Sequence, residues 1–238
     1  MVSSILPLKI EAVTVRRGGR QILGPIDWVL DGQGLTILMG PNGSGKTTFL
    51  RVMHGLERVG RGQIAWNAAA GDVRARQAFV FQTPIMMRRS VLDSIAYPLL
   101  LDGVARQKAM TEAEALAAQM GLGGLLNQPA QAISGGEKQK LALARALIRA
   151  PDVLFLDEPC ANLDGRATKE IERILTEVRA GGTRIVMSTH DIGQARRLAD
   201  DILFLHHGRL IETGPKAAFF EAPKTPEATA HLNGDLIP

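Results

Sequence analysis

The stretch Gly40-Pro41-Asn42-Gly43-Ser44-Gly45-Lys46-Thr47-Thr48 constrains this chain more than any other. It fits the pattern G-x-x-x-x-G-K-[ST], a turn that requires a strand before it and a helix after it. Both are readable. Leu35 to Met39 is a short apolar run with the look of a buried strand, and Thr47 to Met53 is free of helix breakers. Gly43 and Gly45 let the backbone approach phosphates, so that main-chain N–H groups and the helix N-terminus face negative charge. Lys46 reaches the β- and γ-phosphates, Thr47 offers Mg²⁺ a hard oxygen, and Thr48 can donate to a phosphate oxygen. A glycine-rich turn that merely opens a helix is the bland alternative, and the complete pattern in its expected setting argues against it.

Val153 to Leu156 reads as a second buried strand, ending in two adjacent carboxylates, Asp157 and Glu158. Pro159 biases Glu158 toward an extended backbone, and neighbours on a strand point opposite ways, so the pair is expected to divide its work. Asp157 is expected to hold Mg²⁺ through water, and Glu158 to orient or deprotonate the water that attacks a γ-phosphate. Further upstream, Ser134-Gly135-Gly136-Glu137 has the S-x-x-E form of a capping box, ahead of a helix through Leu141, Ala144, Leu147 and Ile148. A capped helix start carrying two glycines is also an anion site.

Preceded by Ile133, that box resembles the LSGGQ signature of ABC-transporter ATPases. With the three motifs in order, the chain resembles an ABC ATPase subunit from about Leu8 to Pro215. Gln82, in VFQTP after the apolar strand Ala78 to Phe81, matches the family's Q-loop glutamine, which the resemblance implies touches Mg²⁺ and the attacking water and faces a membrane partner. Asn162-Leu163-Asp164 resembles the D-loop, which crosses to a second subunit. His190, after the strand Arg184 to Ser188, matches the switch histidine that contacts the γ-phosphate. Lys46, Glu158 and His190 are all retained, so hydrolysis is expected, with ATP and Mg²⁺ as the implied cofactors.

The implied fold is α/β: a phosphate-loop NTPase core with an antiparallel β-subdomain and an inserted helical subdomain. It would form one unit over residues 1–238, with core and β-subdomain in 1–82 and 133–215, the helical subdomain at about 83–132, and a short C-terminal tail, 216–238. The resemblance further implies a head-to-tail pair with a second copy of the chain. Ser134 and Gly135 of one copy would cap the γ-phosphate held by Lys46 of the other, with Gly136 and Glu137 completing the signature. Transmembrane permease subunits, and indirectly a solute-binding protein, are the other implied partners, which places the chain peripherally on the cytoplasmic side of the cell membrane. Two departures stand out. Where the family usually stacks an aromatic residue on adenine, this chain offers Val15-Arg16-Arg17-Gly18-Gly19, so Arg17 would stack through its guanidinium. The signature begins with Ile133 and ends with Glu137 where Leu and Gln are commoner.

Composition is consistent with this reading. A chain of 238 residues accommodates one α/β domain with a smaller insertion. Within that insertion Val91 to Leu101 and Thr111 to Met120 have helical spacing. The single cysteine, Cys160, forbids an internal disulfide, suits a reducing cytosol, and is expected to be a small buried filler. Met1 to Ile10 lacks the form of a secretory signal, and no apolar run approaches the roughly 18 residues of a membrane span. The net charge of +4 is spread without a basic run, and two Trp and one Tyr make no stacking platform, so nucleic acid is not expected as a partner. His206-His207 is discounted as a metal site because neighbours on a strand point to opposite faces.

The cargo is the finest point. Phe81 to Val91, FQTPIMMRRSV, resembles the Q-loop region of ATPases in tungstate-type oxoanion importers, and the lack of a further C-terminal domain suits that branch. Met86 and Met87 are expected to fill an interface with a membrane helix. Phosphate and polar amino acid import stand next, followed by an exporter. A soluble repair or ribosomal ATPase fits less well, since only 87 residues lie between Lys46 and Ser134 and one set of motifs is present.

Overall fold

The computed structural model describes residues 4–235. Two long strands with alternating burial open it, β1 (Leu8–Arg17) and β2 (Arg20–Leu30), joined through Gly18 and Gly19, both at positive φ. β3 (Leu35–Met39) follows and is buried at all five positions. α1 (Lys46–His54) runs from the glycine-rich turn to Gly55, whose φ of 84° closes it in a left-handed cap. Then come β4 (Arg61–Trp66), α2 (Ala70–Ala75) and β5 (Gln77–Val80). α3 (Val91–Leu101) and α4 (Arg106–Gln119) precede α5 (Gly135–Leu147). β6 (Val153–Asp157), α6 (Gly165–Ala180), β7 (Arg184–Ser188), α7 (Ile192–Leu198) and β8 (Asp201–His206) alternate strand with helix. β9 (Arg209–Pro215), α8 (Lys216–Glu221) and α9 (Pro226–Asn233) complete the chain.

The strands form two sheets. β2-β1-β4 is a small antiparallel sheet, and β5-β6-β7-β3-β8-β9 is a larger one, parallel except for its last strand. Because the central parallel strands are covered on both faces, they read as unbroken apolar runs. Alternation then splits each strand between two cores. Leu38, Phe155, Val186 and Leu203 face α1 and the antiparallel sheet, whereas Ile37, Leu154, Met187 and Phe204 face the helices. α1 is held between the two sheets by Phe49, Leu50, Val52 and Met53, all fully buried. Each such side chain contributes about 1.5–3 kcal/mol relative to exposure, which fixes the glycine turn at the head of this helix.

Three details depart from expectation. α4 begins five residues before Thr111, because its inward stripe is alanine, Ala109, Ala113 and Ala117, at a spacing of four. The segment expected as a short tail folds into α8 and α9. Glu212 accepts hydrogen bonds from the Lys224 and Thr225 amides and from the Thr225 hydroxyl, and Phe219 and Ala228 are buried. His206 and His207 do not point apart: His207 turns at φ 46°, and the two rings lie 4.0 Å centroid to centroid. Even so, no group of three or more His, Cys, Asp or Glu suited to a metal occurs among the described residues. Among them, too, no helix is long and apolar enough to cross a membrane.

Candidate functional site

The site begins where β3 ends. Gly40 has φ 137°, and a Cβ there would collide with the Leu205 carbonyl, so only glycine fits the exit from the strand. Gly43 and Gly45 are at φ 78° and 108°, and the space around Gly43 is open. The loop is braced from outside by the turn after β8: the Gly208 amide donates to the Ser44 carbonyl at 2.9 Å, and the Gly24 amide to the Gly208 carbonyl at 2.7 Å. Ser44 itself is buried, and its hydroxyl has no protein partner. A buried hydroxyl left unpaired costs free energy that an arriving phosphate oxygen would return.

Lys46, the first residue of α1, is buried and donates from Nζ to the carbonyls of Gly40 at 2.8 Å and Pro41 at 3.0 Å. Burial pulls its amine below the ordinary lysine range, while Glu158 and Asp157 oppose that shift. The Thr47 hydroxyl donates to Asp157 Oδ1 at 3.0 Å, and the Ser188 hydroxyl donates to the same oxygen at 2.8 Å. Asp157 is thus a buried carboxylate held by two hydroxyls. Ser188 is a site residue that the sequence did not single out. It joins because β6 and β7 pair in register with Asp157 opposite it.

Glu158 separates from Asp157, but not by strand alternation. Its backbone is in the left-handed region, φ 46°, rather than extended, and its amide donates to both the carbonyl and the hydroxyl of Ser188, at 3.2 and 3.0 Å. Those bonds to the neighbouring strand override the bias that Pro159 imposes. The turn carries the Glu158 carboxylate to the solvent side. There Gln82 Nε2 donates to Oε2 at 3.4 Å, and His190 Nδ1 lies 3.1 Å from the same oxygen. Two residues from two other loops therefore converge on the Glu158 carboxylate.

Lys46, Thr47, Thr48, Gln82, Glu158 and His190 line one cavity of about 540 Å³, closed on its other sides by Asn42, Gly43, Gly45 and the Ala161-Asn162 turn. The remaining expected residues lie elsewhere. Ser134, Gly136 and Glu137 line a different cavity of about 290 Å³ with Asp164 and Lys140. The capping box there is formed, opening α5 at Gly135. Arg17 is absent from both cavities; its guanidinium pairs with Glu57 at 2.8 Å. Cys160 is half-buried, and desolvation pushes its thiol up to about 11, so it is a packing residue rather than a nucleophile.

A glycine turn between a parallel strand and a buried helix, with a lysine and paired carboxylates beneath it, defines a phosphate-loop ATPase of α/β class. Residues 23–161 match the family model described as ABC transporter. The tungstate uptake system ATP-binding protein TupC of Peptoclostridium acidaminophilum is 36% identical over 197 residues, covering 82% of this chain and 92% of that protein. The arginine transport ATP-binding protein ArtM of Bacillus subtilis is 32% identical over 235 residues, covering 94% and 98%. The structure of CbiO1 from Clostridium perfringens, part of the ABC transporter complex CbiONQ, superposes with a TM-score of 0.82 at 26% identity, covering 92% and 91%. The chain belongs to the ABC transporter family. It is an ATP hydrolase coupled to transmembrane transport.

Proposed function

We propose that this chain powers an ABC importer, with tungstate or a related oxoanion as cargo, and that it works as a head-to-tail pair of identical subunits. The convergence of Gln82 and His190 on the Glu158 carboxylate, in one cavity with Lys46, is the observation that supports hydrolysis at this site. ATP is the substrate. Gly40 to Thr48 cradle its phosphates, with the Ser44 hydroxyl and the Lys46 amine as further donors. Thr47 and Asp157 are hard oxygen donors that would hold Mg²⁺. When bound, the ion screens the phosphate charge. Glu158 takes a proton from the attacking water, while Gln82 and His190 hold its carboxylate in place. Arg17, engaged by Glu57, supplies the base with a guanidinium plane.

Ser134, Gly136 and Glu137 of the signature line a separate cavity from Lys46, so within one chain the signature does not share the cavity of the phosphate loop. A second copy, turned head to tail, brings it there and completes the site. The segment of about 83–132, with α3 and α4, is the helical subdomain that meets the permease. A groove of about 350 Å³ beside it, lined by Phe81, Pro84, Arg145 and Arg149 among others, suits a cytoplasmic segment of that partner. Ile85 is 72% exposed and Leu56 50%, and they are the apolar side chains offered to the partner. Met86 instead packs inward on the core. On this reading the chain works at the cytoplasmic face of the membrane.

Cargo rests on the FQTPIMMRRSV segment and on the tungstate relative. The arginine relative, similar at 32%, keeps polar amino acid import as the second reading. The test is ATP turnover by the complex with its permease, titrated with solute-binding protein loaded with tungstate, molybdate, phosphate or arginine. Stimulation by the tungstate-loaded protein supports the proposal. Stimulation by arginine alone moves the cargo and leaves the engine, and indifference to every loaded protein points to an exporter.

A further inference from the structure

The capping box at the start of α5 is lopsided. In the usual reciprocal form the serine hydroxyl accepts from the N3 amide, and the N3 side chain accepts from the serine amide. Here the Glu137 amide lies 3.5 Å from Ser134 Oγ, at the limit of a hydrogen bond, whereas Glu137 Oε2 receives the Ser134 amide at 2.8 Å and the Ser134 hydroxyl at 2.7 Å. One carboxylate oxygen thus holds both donors of the serine. A hydroxyl has a single proton, so a Ser134 that donates to Glu137 has none to give another acceptor. The bond is charge-assisted, about twice as strong as a neutral one. Ser134 and Gly135 are exposed, and the two cations that share the cavity of Ser134 and Glu137, Lys140 and Arg166, are both engaged by Glu170, at 2.9 and 3.4 Å, so Lys140 offsets the Glu137 charge only in part. The bonds to Ser134 also hold the Glu137 carboxyl below the usual range, which keeps it ionised at neutral pH.

We propose that Glu137 is a positioning residue that acts through Ser134 as a brake on subunit closure. This rests on the reading above, in which Ser134 of one copy meets the γ-phosphate held by the other. For the serine to donate to phosphate it must leave Glu137, and the phosphate must approach a like charge, so closure is weakened. The same bond favours reopening, because the carboxylate recovers the serine proton when the γ-phosphate departs. A glutamine at this position would still accept the Ser134 amide through its carbonyl, keeping the cap, and would carry no charge. Glu137 therefore trades affinity in the closed state for faster release.

The test measures ATP-dependent self-association by sedimentation in a Glu158→Gln background, with and without Glu137→Gln. The expected result is a midpoint ATP concentration lower by about fivefold or more in the double variant, the scale of one charge-assisted contact. With Glu158 intact, Glu137→Gln is expected to lower the KM for ATP and kcat together, a signature that loss of a helix cap does not produce. Glu137→Ala is the control for structure: it too lowers the midpoint, but it alone lowers the Tm, by about 2–4 °C, as the cap is lost. A midpoint for Glu137→Gln within twofold of its parent, or higher, overturns the brake while leaving the paired site in place. Absence of ATP-dependent association in every variant overturns the paired site, and the brake with it.

Discussion

Glu158 shows how a single residue is placed against its local preference. A proline follows it and a strand precedes it, yet its backbone turns left-handed, because the Ser188 carbonyl and hydroxyl both take its amide. The consequence is a carboxylate reached by Gln82 and His190 rather than one lying in the sheet. If that carboxylate accepts the proton of the attacking water, Glu158→Gln keeps the geometry and loses the chemistry. Steady-state ATP turnover is expected to fall by about 10²-fold or more, with nucleotide affinity preserved. At this scale the sequence was most legible where a motif is contiguous: Lys46, Thr47, Asp157 and Glu158 are identified by their immediate neighbours. Ser188 was not, because its role depends on which residue the next strand sets opposite it, and that register is a property of the assembled sheet. The His206-His207 argument failed for a related reason, since strand alternation ends where His207 enters the turn.

Among the elements, α1 and α5 carry the phosphate loop and the signature, and their far ends determine how firmly those are held. α5 closes through Ala150, exposed at φ 47°, whose amide donates to the Leu147 carbonyl at 2.8 Å. Glycine occupies such a position without strain, so Ala150→Gly is expected to stabilise the fold by about 1 kcal/mol, read as a rise in the urea midpoint at constant slope. α1 ends at His54, packed edge-on against Phe79 and Phe155 with a buried, unpartnered Nδ1. Burial lowers its imidazole from the ordinary 6.5 to about 4. The unfolded chain therefore takes up this proton first as pH falls, so the contribution of neutral His54 is complete above pH 6.5 and drains as pH drops toward 4. Between pH 7 and pH 5 the loss is on the order of 1–2 kcal/mol. His54→Phe, which keeps a ring and removes the proton, is expected to flatten the dependence of the urea midpoint on pH over that interval. Apolar runs revealed the parallel strands and α3, because large side chains mark their periods. The first turn of α4 escaped, its buried stripe being alanine, and the start of α9 is secured by Glu212 of β9, a contact formed only once α8 folds between them.

At the scale of the whole molecule, the phosphate loop and the signature line two separate cavities. One cavity holds Lys46 with Glu158, another holds Ser134 with Glu137, and a single chain does not merge them. The sequence contained both halves in plain view, and the family resemblance already implied that they lie apart in one chain; what the fold adds is the pair of distinct cavities, one at the end of β3 and one at the start of α5. On the function proposed above, two copies complete each other across a shared nucleotide. That claim is tested most directly by mixing two disabled variants, Lys46→Ala and Ser134→Ala, and measuring ATP turnover. Each alone is expected to be nearly inert. In a mixed pair, the intact Lys46 of one copy faces the intact Ser134 of the other, so turnover is expected to return on mixing, to about a quarter of the parent rate for random pairing of independent sites. Undiminished turnover by Ser134→Ala alone would contradict the claim, because the site would then be complete within one chain.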